Sequence, residues 1–296
     1  MNRFRRFVGI DWSGARGRRQ AGIQVALTDS DDSCCRLVKA AHGGNWSRSD
    51  VLDYIIGLDD LPTLVGIDFA FSVPWNGELA GPTRIDDVRS LWARVEELCD
   101  GTEHLYAGPV WAAEHSPFRP FIFHHASGHT GPSYRRNNLR AVDAVEGNAI
   151  SIYHMTGTQV GAGSFAGMRM LHRLATRHGD SVAIWPFDAV DGTKTTIVEI
   201  YPSFFYRSAG VSRPTRADLL ASDYRTLDKA LGFYGGRRRR GEACRSVDQA
   251  DALVSAAALR KLADSASFAG PAREGFDPRE GWIFGVPGRD DSPLLR

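Results

Sequence analysis

The acidic residues best placed for chemistry are two aspartates that end identical four-residue segments and one glutamate within an apolar run. VGID occurs at residues 8–11 and again at 65–68, and each apolar run ends in an aspartate, Asp11 or Asp68. Glu199 lies inside a third apolar run, where a carboxylate is costly to bury without a cation or hydrogen-bond partners. Because ligands of parallel α/β sheets bind outside the carboxyl ends of the strands, we expect the two aspartates to face one crevice.

A late helical segment, SVDQADALVSAAALRKLAD at residues 246–264, adds two more carboxylates. Asp248 and Asp251 are spaced i, i+3 and therefore share one face of the helix. The alanine-rich stretch after Asp251 has small side chains, so this face can pack closely against the sheet. We therefore expect Asp248 and Asp251 to converge with Asp11 and Asp68.

We expect no matching cluster of lysine or arginine among these carboxylates. Without such a cluster, converging carboxylates repel one another. A hard divalent cation relieves this repulsion, and Mg²⁺ or Mn²⁺ prefers oxygen ligands. Two such ions about 4 Å apart can activate a water and stabilise the leaving oxygen in phosphodiester hydrolysis. The sequence therefore predicts a metal site held by carboxylates. The competing interpretation is that each aspartate is an ordinary turn or capping residue.

The elements that must position these acids begin with an antiparallel meander. Three strands are predicted at residues 6–14, 21–29 and 34–44, followed by a helix at 47–58 and a strand at 63–74. The helix supplies the crossover that a parallel return to the first strand requires.

The later elements surround a long interruption of this alternation. Helices are predicted at 83–100, 164–179, 217–233 and 246–264, strands at 181–189 and 194–203, and a short extended segment at 280–287. Residues 104–134 are rich in Pro, Gly, His and aromatics and predict irregular structure. We expect an α/β fold in which residues 1–296 form one domain with an insertion at 75–180.

Composition sets limits on the class of protein. The hydrophobic content is 43% and the formal net charge is +1, which argues against coating nucleic acid by bulk charge. No apolar run approaches the roughly 20 residues of a membrane span. The four cysteines have no paired CxxC spacing, so neither a zinc site nor a disulfide-linked partner is expected. These features favour a cytoplasmic protein with no membrane partner.

Two arginine-rich segments are candidate phosphate contacts. Arg237, Arg238, Arg239 and Arg240 form a run between glycines, close in sequence to the DxxD helix. Arg135 and Arg136 form a second candidate segment. The alternative interpretation of each is a solvated loop. Among the tryptophans, Trp12, Trp46, Trp75 and Trp111 could stack on bases, although packing is the more common role.

The ordered segments VGIDWSG, VGIDFAFSVP, VEIYPS, DQADALVSAAALR and EGWIFGVP resemble the motifs of the family called domain of unknown function 429. Members are regarded as predicted nucleases with a ribonuclease-H-like fold: a mixed sheet with a three-stranded antiparallel start and later parallel strands, flanked by helices. The resemblance implies that Asp11, Asp68 and Asp251 are metal ligands, with Asp248 as a neighbour. Glu199 matches a family motif whose role is only inferred.

Three functions follow as hypotheses. The leading one is a nuclease that depends on Mg²⁺ or Mn²⁺, with two ions possible, and acts on DNA or RNA through the catalytic residues Asp11, Asp68, Glu199 and Asp251. The second is phosphoryl transfer from ATP on the related actin and sugar-kinase fold, although the turn after Asp11 is displaced by one residue from the usual pattern. The third is a non-catalytic module that binds a ligand or nucleic acid, which arginine-paired carboxylates would favour.

Overall fold

The apolar runs of the sequence form the strands of a large mixed sheet. The computed structural model describes residues 3–75, 79, 85–156, 160–263, 268 and 276–288. The strands within these ranges are β1 Arg6–Asp11, β2 Gln24–Asp29, β3 Asp32–Val38, β4 Thr63–Ile67, β5 Phe123–His124, β6 His129–Thr130, β7 His154–Met155, β8 Val182–Ile184, β9 Thr195–Glu199 and β10 Arg237–Arg238. The large sheet has the order β10–β3–β2–β1–β4–β9–β8, and β6–β5–β7 form a small second sheet.

Helices flank the large sheet. The α-helices in the described ranges are α1 Arg48–Ile56, α2 Val88–Leu98, α3 Pro109–Ala112, α4 Ala141–Glu146, α5 Gly161–His178, α6 Pro202–Ser208, α7 Arg216–Leu220, α8 Arg225–Phe233 and α9 Val247–Leu262. Short 3₁₀ helices lie at Glu103–Leu105, Arg119–Phe121, His125–Ser127 and Pro278–Glu280. The chain is therefore an α/β structure, as the sequence predicted.

The predicted meander and its crossover are confirmed. Strands β1, β2 and β3 pair antiparallel, and β4 returns parallel to β1. Helix α1 makes the crossover, and it begins at a capping box in which the Ser47 side chain accepts a hydrogen bond from the amide of Asp50. The chemistry of this cap explains why the helix begins where the sequence predicts.

The two VGID segments lie side by side in register. Gly9 on β1 is paired with Gly66 on β4, and the flanking valines and isoleucines are paired in the same way. On the other side of β4, Ile67 is paired with Glu199 of β9. The register therefore brings the carboxyl ends of three parallel strands to one edge of the sheet.

Side chains on the two faces of the sheet belong to two hydrophobic cores. Val8 and Ile10 belong to the core that contains helices α1, α2 and α5, whereas Phe7 belongs to the core that contains α9. Gly9 lies under α9, and a Cβ atom there would be 2.4 Å from the carbonyl oxygen of Ala252. Glycine in the strand and alanine in the helix therefore permit the close approach that places Asp251 beside β1.

Part of the predicted insertion at 75–180 forms one of the helical layers. Helices α2 and α5 lie in the core on the Val8 side of the sheet. Glu96 of α2 joins them, since its carboxylate pairs with Arg169 at 2.6 Å and with Arg173 at 2.8 Å. Residues 76–78, 80–84 and 157–159 of the segment lie outside the described residues.

Two sequence predictions about local structure were wrong. The single helix expected at 217–233 is two helices, α7 and α8, separated at Ser222, whose φ of +58° is incompatible with a continuous right-handed helix. The expected loop at the arginine run contains a strand, because Arg237 and Arg238 pair in parallel with Cys34 and Cys35 of β3.

The described ranges contain no helix that is both long and apolar enough to cross a bilayer. All four cysteines are buried free thiols.

Candidate functional site

The carboxyl-end edge of β1, β4 and β9 opens into a cavity of about 820 Å³. All five acidic residues singled out in the sequence line this cavity: Asp11, Asp68, Glu199, Asp248 and Asp251. A volume of this size lies within the roughly 300–1,000 Å³ of small-molecule sites. The expected convergence of the acids on one pocket is therefore present in the fold.

Asp11 is the last residue of β1 and is buried. Burial, and then the carboxylates of Asp251, Asp68 and Asp248, raise the pKa of Asp11 well above its usual range. Without a bound cation, the site therefore retains protons that isolated carboxylates lose.

Asp68 follows β4 directly, and its amide donates a hydrogen bond of 3.0 Å to the carbonyl oxygen of Ile10. This backbone bond fixes the position of Asp68 next to Asp11. Burial, and then the charge of Asp251, raise the pKa of Asp68 to about 8. At neutral pH the metal-free site therefore holds this carboxyl group largely in its neutral form.

Asp251 is paired with an arginine that the sequence analysis did not single out. Arg213, in the loop between α6 and α7, donates from Nε to Oδ1 of Asp251 at 3.0 Å, and its Nη2 contacts Oδ2. The Asp251 side chain is 1% exposed, whereas that of Arg213 is 43% exposed. Burial raises the pKa of Asp251 to about 6, although Arg213 opposes the shift.

Glu199 is the most completely satisfied of the five acids. Arg140 donates to both of its oxygens, at 2.5 Å and 2.8 Å, and the amide of Phe71 donates to Oε2 at 2.8 Å. Arg140 also pairs with Asp143 at 2.9 Å, and all three charged side chains are almost fully buried. These contacts give Glu199 a role in holding the strand ends together.

The expectation that no basic cluster accompanies the acids was therefore wrong. Arg213 and Arg140 lie in the pocket wall, and both come from segments that carry no motif. Each of these segments contributes one arginine, distant in sequence from the predicted acid that it pairs with. Only the folded structure therefore shows the pairing.

The donor set fits a hard divalent cation in chemistry and charge, since four aspartate carboxylates face one paired guanidinium. As the side chains stand, no group of three or more His, Cys, Asp or Glu residues in the described ranges is arranged to hold an ion. Arg213 accounts for part of this, because both oxygens of Asp251 contact it. Arg213 would therefore compete with an ion for the oxygens of Asp251.

The arginines predicted as phosphate contacts do not line this cavity. None of Arg135, Arg136, Arg237, Arg238, Arg239 and Arg240 belongs to its described lining. Arg238 instead lies 4.0 Å from the centre of the Tyr224 ring and donates to the carbonyl oxygen of Glu242. The arginines that do line the cavity are Arg16, Arg140 and Arg213.

The loop after β1 is held by a buried arginine. Arg48 donates to the carbonyl oxygens of Ser13, at 2.9 Å, and of Ala15. Burial, and then the nearby Arg169, lower the pKa of Arg48 to about 10. The loop that follows Asp11 is thus fixed by its backbone.

Comparison with known proteins adds nothing to this geometry. No family model, curated protein or solved structure matches the chain. The functional assignment therefore rests on the pocket itself.

Proposed function

We propose that the protein is a metal-dependent phosphodiesterase that hydrolyses nucleic acid, with a ribonuclease-H-like fold and membership of the family called domain of unknown function 429. The antiparallel β1–β2–β3 start, the α1 crossover and the parallel β4 and β9 support the fold assignment. Four free cysteine thiols are compatible with action in the reducing cytoplasm.

The observation that carries the proposal is the surplus of acid in one pocket. Asp11, Asp68, Asp248 and Asp251 line it together, and Arg213 is the cation paired with one of them. Carboxylates packed together away from water either retain protons or bind a cation, and the raised pKa values of Asp11 and Asp68 are consistent with this. A site built at this energetic cost is typical of function.

Asp11, Asp68 and Asp248 would hold Mg²⁺ or Mn²⁺ through carboxylate oxygens, and Asp251 would join them once Arg213 moves. The ion supplies Lewis acidity and lowers the pKa of a bound water. Arg213 is then free to pair with a phosphate oxygen, because a guanidinium binds phosphate in the same bidentate way as it binds a carboxylate. Glu199, held by Arg140, keeps β9 and the segment at Phe71 in place around the acids.

Cleavage assays test the proposal. Purified protein is incubated with Mn²⁺ and with single-stranded, duplex and branched DNA and RNA, beside an identically purified Asp11→Asn variant. We expect cleavage that the variant loses by at least roughly 100-fold, since even outer partners of metal ligands contribute roughly 10–100-fold. Asp31→Asn is the matched control, because Asp31 is exposed and pairs with Arg5 on the surface. Equal activity in wild type and Asp11→Asn, or none on any substrate, contradicts the proposal.

The arginine pairs favour a second candidate, a non-catalytic binding module. Asp251 and Glu199 are both neutralised by guanidinium groups, at Arg213 and Arg140. In such a module the ion pairs are permanent, and Mn²⁺ has no effect on the protein. Titration of Mn²⁺ into wild type and Asp11→Asn by calorimetry separates the two candidates, since only a metal site loses heat of binding in the variant.

A further inference from the structure

A second group of residues in the same cavity is aromatic or apolar. These residues come from the segment at 104–160 and include Tyr106, Trp111, His124, Ile150, Met155 and Val160. Ile150 and Val160 are among the large hydrophobic side chains that are exposed, at 49% and 37%. Single exposed apolar side chains are ordinary, but two of them beside three rings in a concave site form a binding surface.

The three rings, which we call the aromatic wall, form a connected array. Trp111 and His124 are stacked with their centroids 6.2 Å apart and their planes at 28°. Tyr106 meets Trp111 edge-on, at 5.9 Å and 86°. The guanidinium carbon of Arg16 lies 5.9 Å from the centre of the Tyr106 ring. An array of this kind binds planar rings by stacking and edge contacts.

The chain leading into the aromatic wall is held in a strained conformation. His104 and Leu105 have φ of +57° and +56°, which is unfavourable for residues with a Cβ atom. Two buried arginines stabilise it: Arg48 donates to the carbonyl oxygen of His104 at 2.6 Å, and Arg169 to that of Tyr106 at 2.7 Å. Strain that buried side chains maintain beside a pocket points to a wall preorganised for a ligand.

We propose that the aromatic wall binds one unpaired nucleobase, and that the substrate is a nucleotide unit with its phosphate at the carboxylates. The placement of the phosphate rests on the proposed function, whereas the placement of the base rests on the wall. A nucleotide has the two chemistries that this cavity combines, a planar ring and an anion that a bound cation attracts. Single-stranded nucleic acid is therefore the class favoured over intact duplex, in which each base is stacked and paired.

Calorimetric titrations in Mn²⁺ test this assignment with two probes, adenosine 5′-monophosphate and ribose 5-phosphate. They carry the same sugar phosphate and differ in the base. We expect the wild type to bind the nucleotide more tightly. Trp111→Ala should weaken nucleotide binding by roughly 5-fold to 150-fold, the effect of losing one stacking partner, and leave ribose 5-phosphate binding unchanged.

Two variants separate loss of stacking from loss of folding. Trp111→Phe keeps a ring at the position and should retain most of the preference for the nucleotide. Phe233→Ala removes an aromatic side chain that is 55% exposed and lies outside the cavity lining, so it should leave both affinities unchanged. If a single-stranded tetranucleotide binds at least as tightly as the monomer, the bound base belongs to a strand. Weaker binding of the tetranucleotide indicates a free nucleotide as the ligand.

Equal binding of the two probes by the wild type overturns the proposal, as does a Trp111→Ala variant that keeps the preference or weakens both ligands alike. The same titrations without Mn²⁺ distinguish failure of the proposed function. If the base preference persists while Mn²⁺ has no effect on either probe, the wall binds a base but the carboxylates hold no metal.

Discussion

Arg213 forms a two-point ion pair with Asp251, the carboxylate that α9 places in the pocket. The aspartate is buried, whereas the arginine is half-exposed. An exposed guanidinium can leave at little cost in solvation, whereas the buried carboxylate then needs another cation. Under the proposed function, we therefore expect a metal ion to replace this contact.

Arg213→Gln tests this replacement. Without metal at pH 8, we expect the variant to lose about 1–3 kcal/mol of unfolding free energy, because the buried Asp251 loses its hydrogen-bonded partner. Mn²⁺ should raise the melting temperature of the variant by more than that of the wild type, since no guanidinium competes for Asp251. Thermal unfolding with and without Mn²⁺ measures both effects.

Arg225→Gln is the matched control for that substitution. Arg225 pairs with Asp223 on the surface, and Asp223 is far less buried than Asp251. Its response to Mn²⁺ should equal that of the wild type. If Arg213→Gln also responds like the wild type, Arg213 does not compete with a metal ion.

The raised pKa of Asp68 predicts that the metal-free protein loses stability as the pH rises. A carboxyl group whose folded-state pKa is raised contributes stability below its unfolded pKa, and that contribution is lost as the pH rises through the folded pKa, about 8 here. The loss is at most about 1.4 kcal/mol per pH unit for each retained proton. Urea unfolding should therefore show an advantage of Asp68→Asn over wild type that grows between pH 5 and pH 8.

Two comparisons support the interpretation of that pH series. Asp31→Asn should show the same slope as the wild type, because Asp31 is exposed. Saturating Mg²⁺ should flatten the slope of the wild type, since metal binding favours the deprotonated carboxylates. A wild type whose stability rises steadily from pH 5 to pH 8 would be inconsistent with protonated carboxyl groups in the pocket.

The ion pair of Glu199 with Arg140 predicts that substitutions there reduce stability without changing the affinity for metal. Arg140→Met leaves Glu199 and Asp143 buried without their cation, and we expect a loss of about 3–5 kcal/mol in unfolding free energy. Glu199→Gln keeps an oxygen acceptor and should cost less. If Glu199 only positions the strands, Glu199→Gln leaves the affinity for Mn²⁺ unchanged in calorimetry, whereas a Glu199 ligand would give weaker binding.

The close approach of α9 to β1 predicts the effect of a single methyl group. In Gly9→Ala the added carbon would lie 2.4 Å from the carbonyl oxygen of Ala252, so helix and strand must separate. We expect a loss of about 1–3 kcal/mol or more in urea unfolding and weaker Mn²⁺ binding, because Asp251 moves with α9.

Gly232→Ala provides the control for Gly9→Ala. Gly232 lies in α8 with open space around it, so alanine should stabilise the protein by about 0.4–1 kcal/mol. If the two substitutions have equal effects, close packing at Gly9 is not what positions α9.

The strands and the helix that carry the acids were predictable because their signals are local. The apolar runs ending in Asp11 and Asp68, and the capped alanine-rich helix with Asp248 and Asp251, fix both the elements and the edge of the sheet that they share. The break at Ser222 could not be predicted, because the helical period of the side chains continues across it.

The partners of the acids could not be predicted for a different physical reason. An ion pair such as Arg213–Asp251 joins residues distant in sequence, and a single arginine among many carries no periodicity or motif. The run of arginines was predicted to contact phosphate, yet Arg238 packs on Tyr224. The arginines that line the cavity are isolated in the sequence. The clustering of arginines in the sequence was therefore a poor guide to which arginines line the cavity.

The in-register pairing of Gly9 with Gly66 has a consequence for how the site can vary. Adjacent strands lie about 4.8 Å apart, a distance fixed by backbone hydrogen bonds and shared by every sheet. The spacing between the backbones that carry Asp11 and Asp68 is therefore a constant of main-chain geometry, which substitutions in the core hardly alter. The rings of Tyr106 and Trp111 lie outside the large sheet, between α2 and β5, so strand pairing does not set their positions. The separation of these two backbones is thus set by strand pairing, whereas the positions of the rings depend on packing outside the sheet.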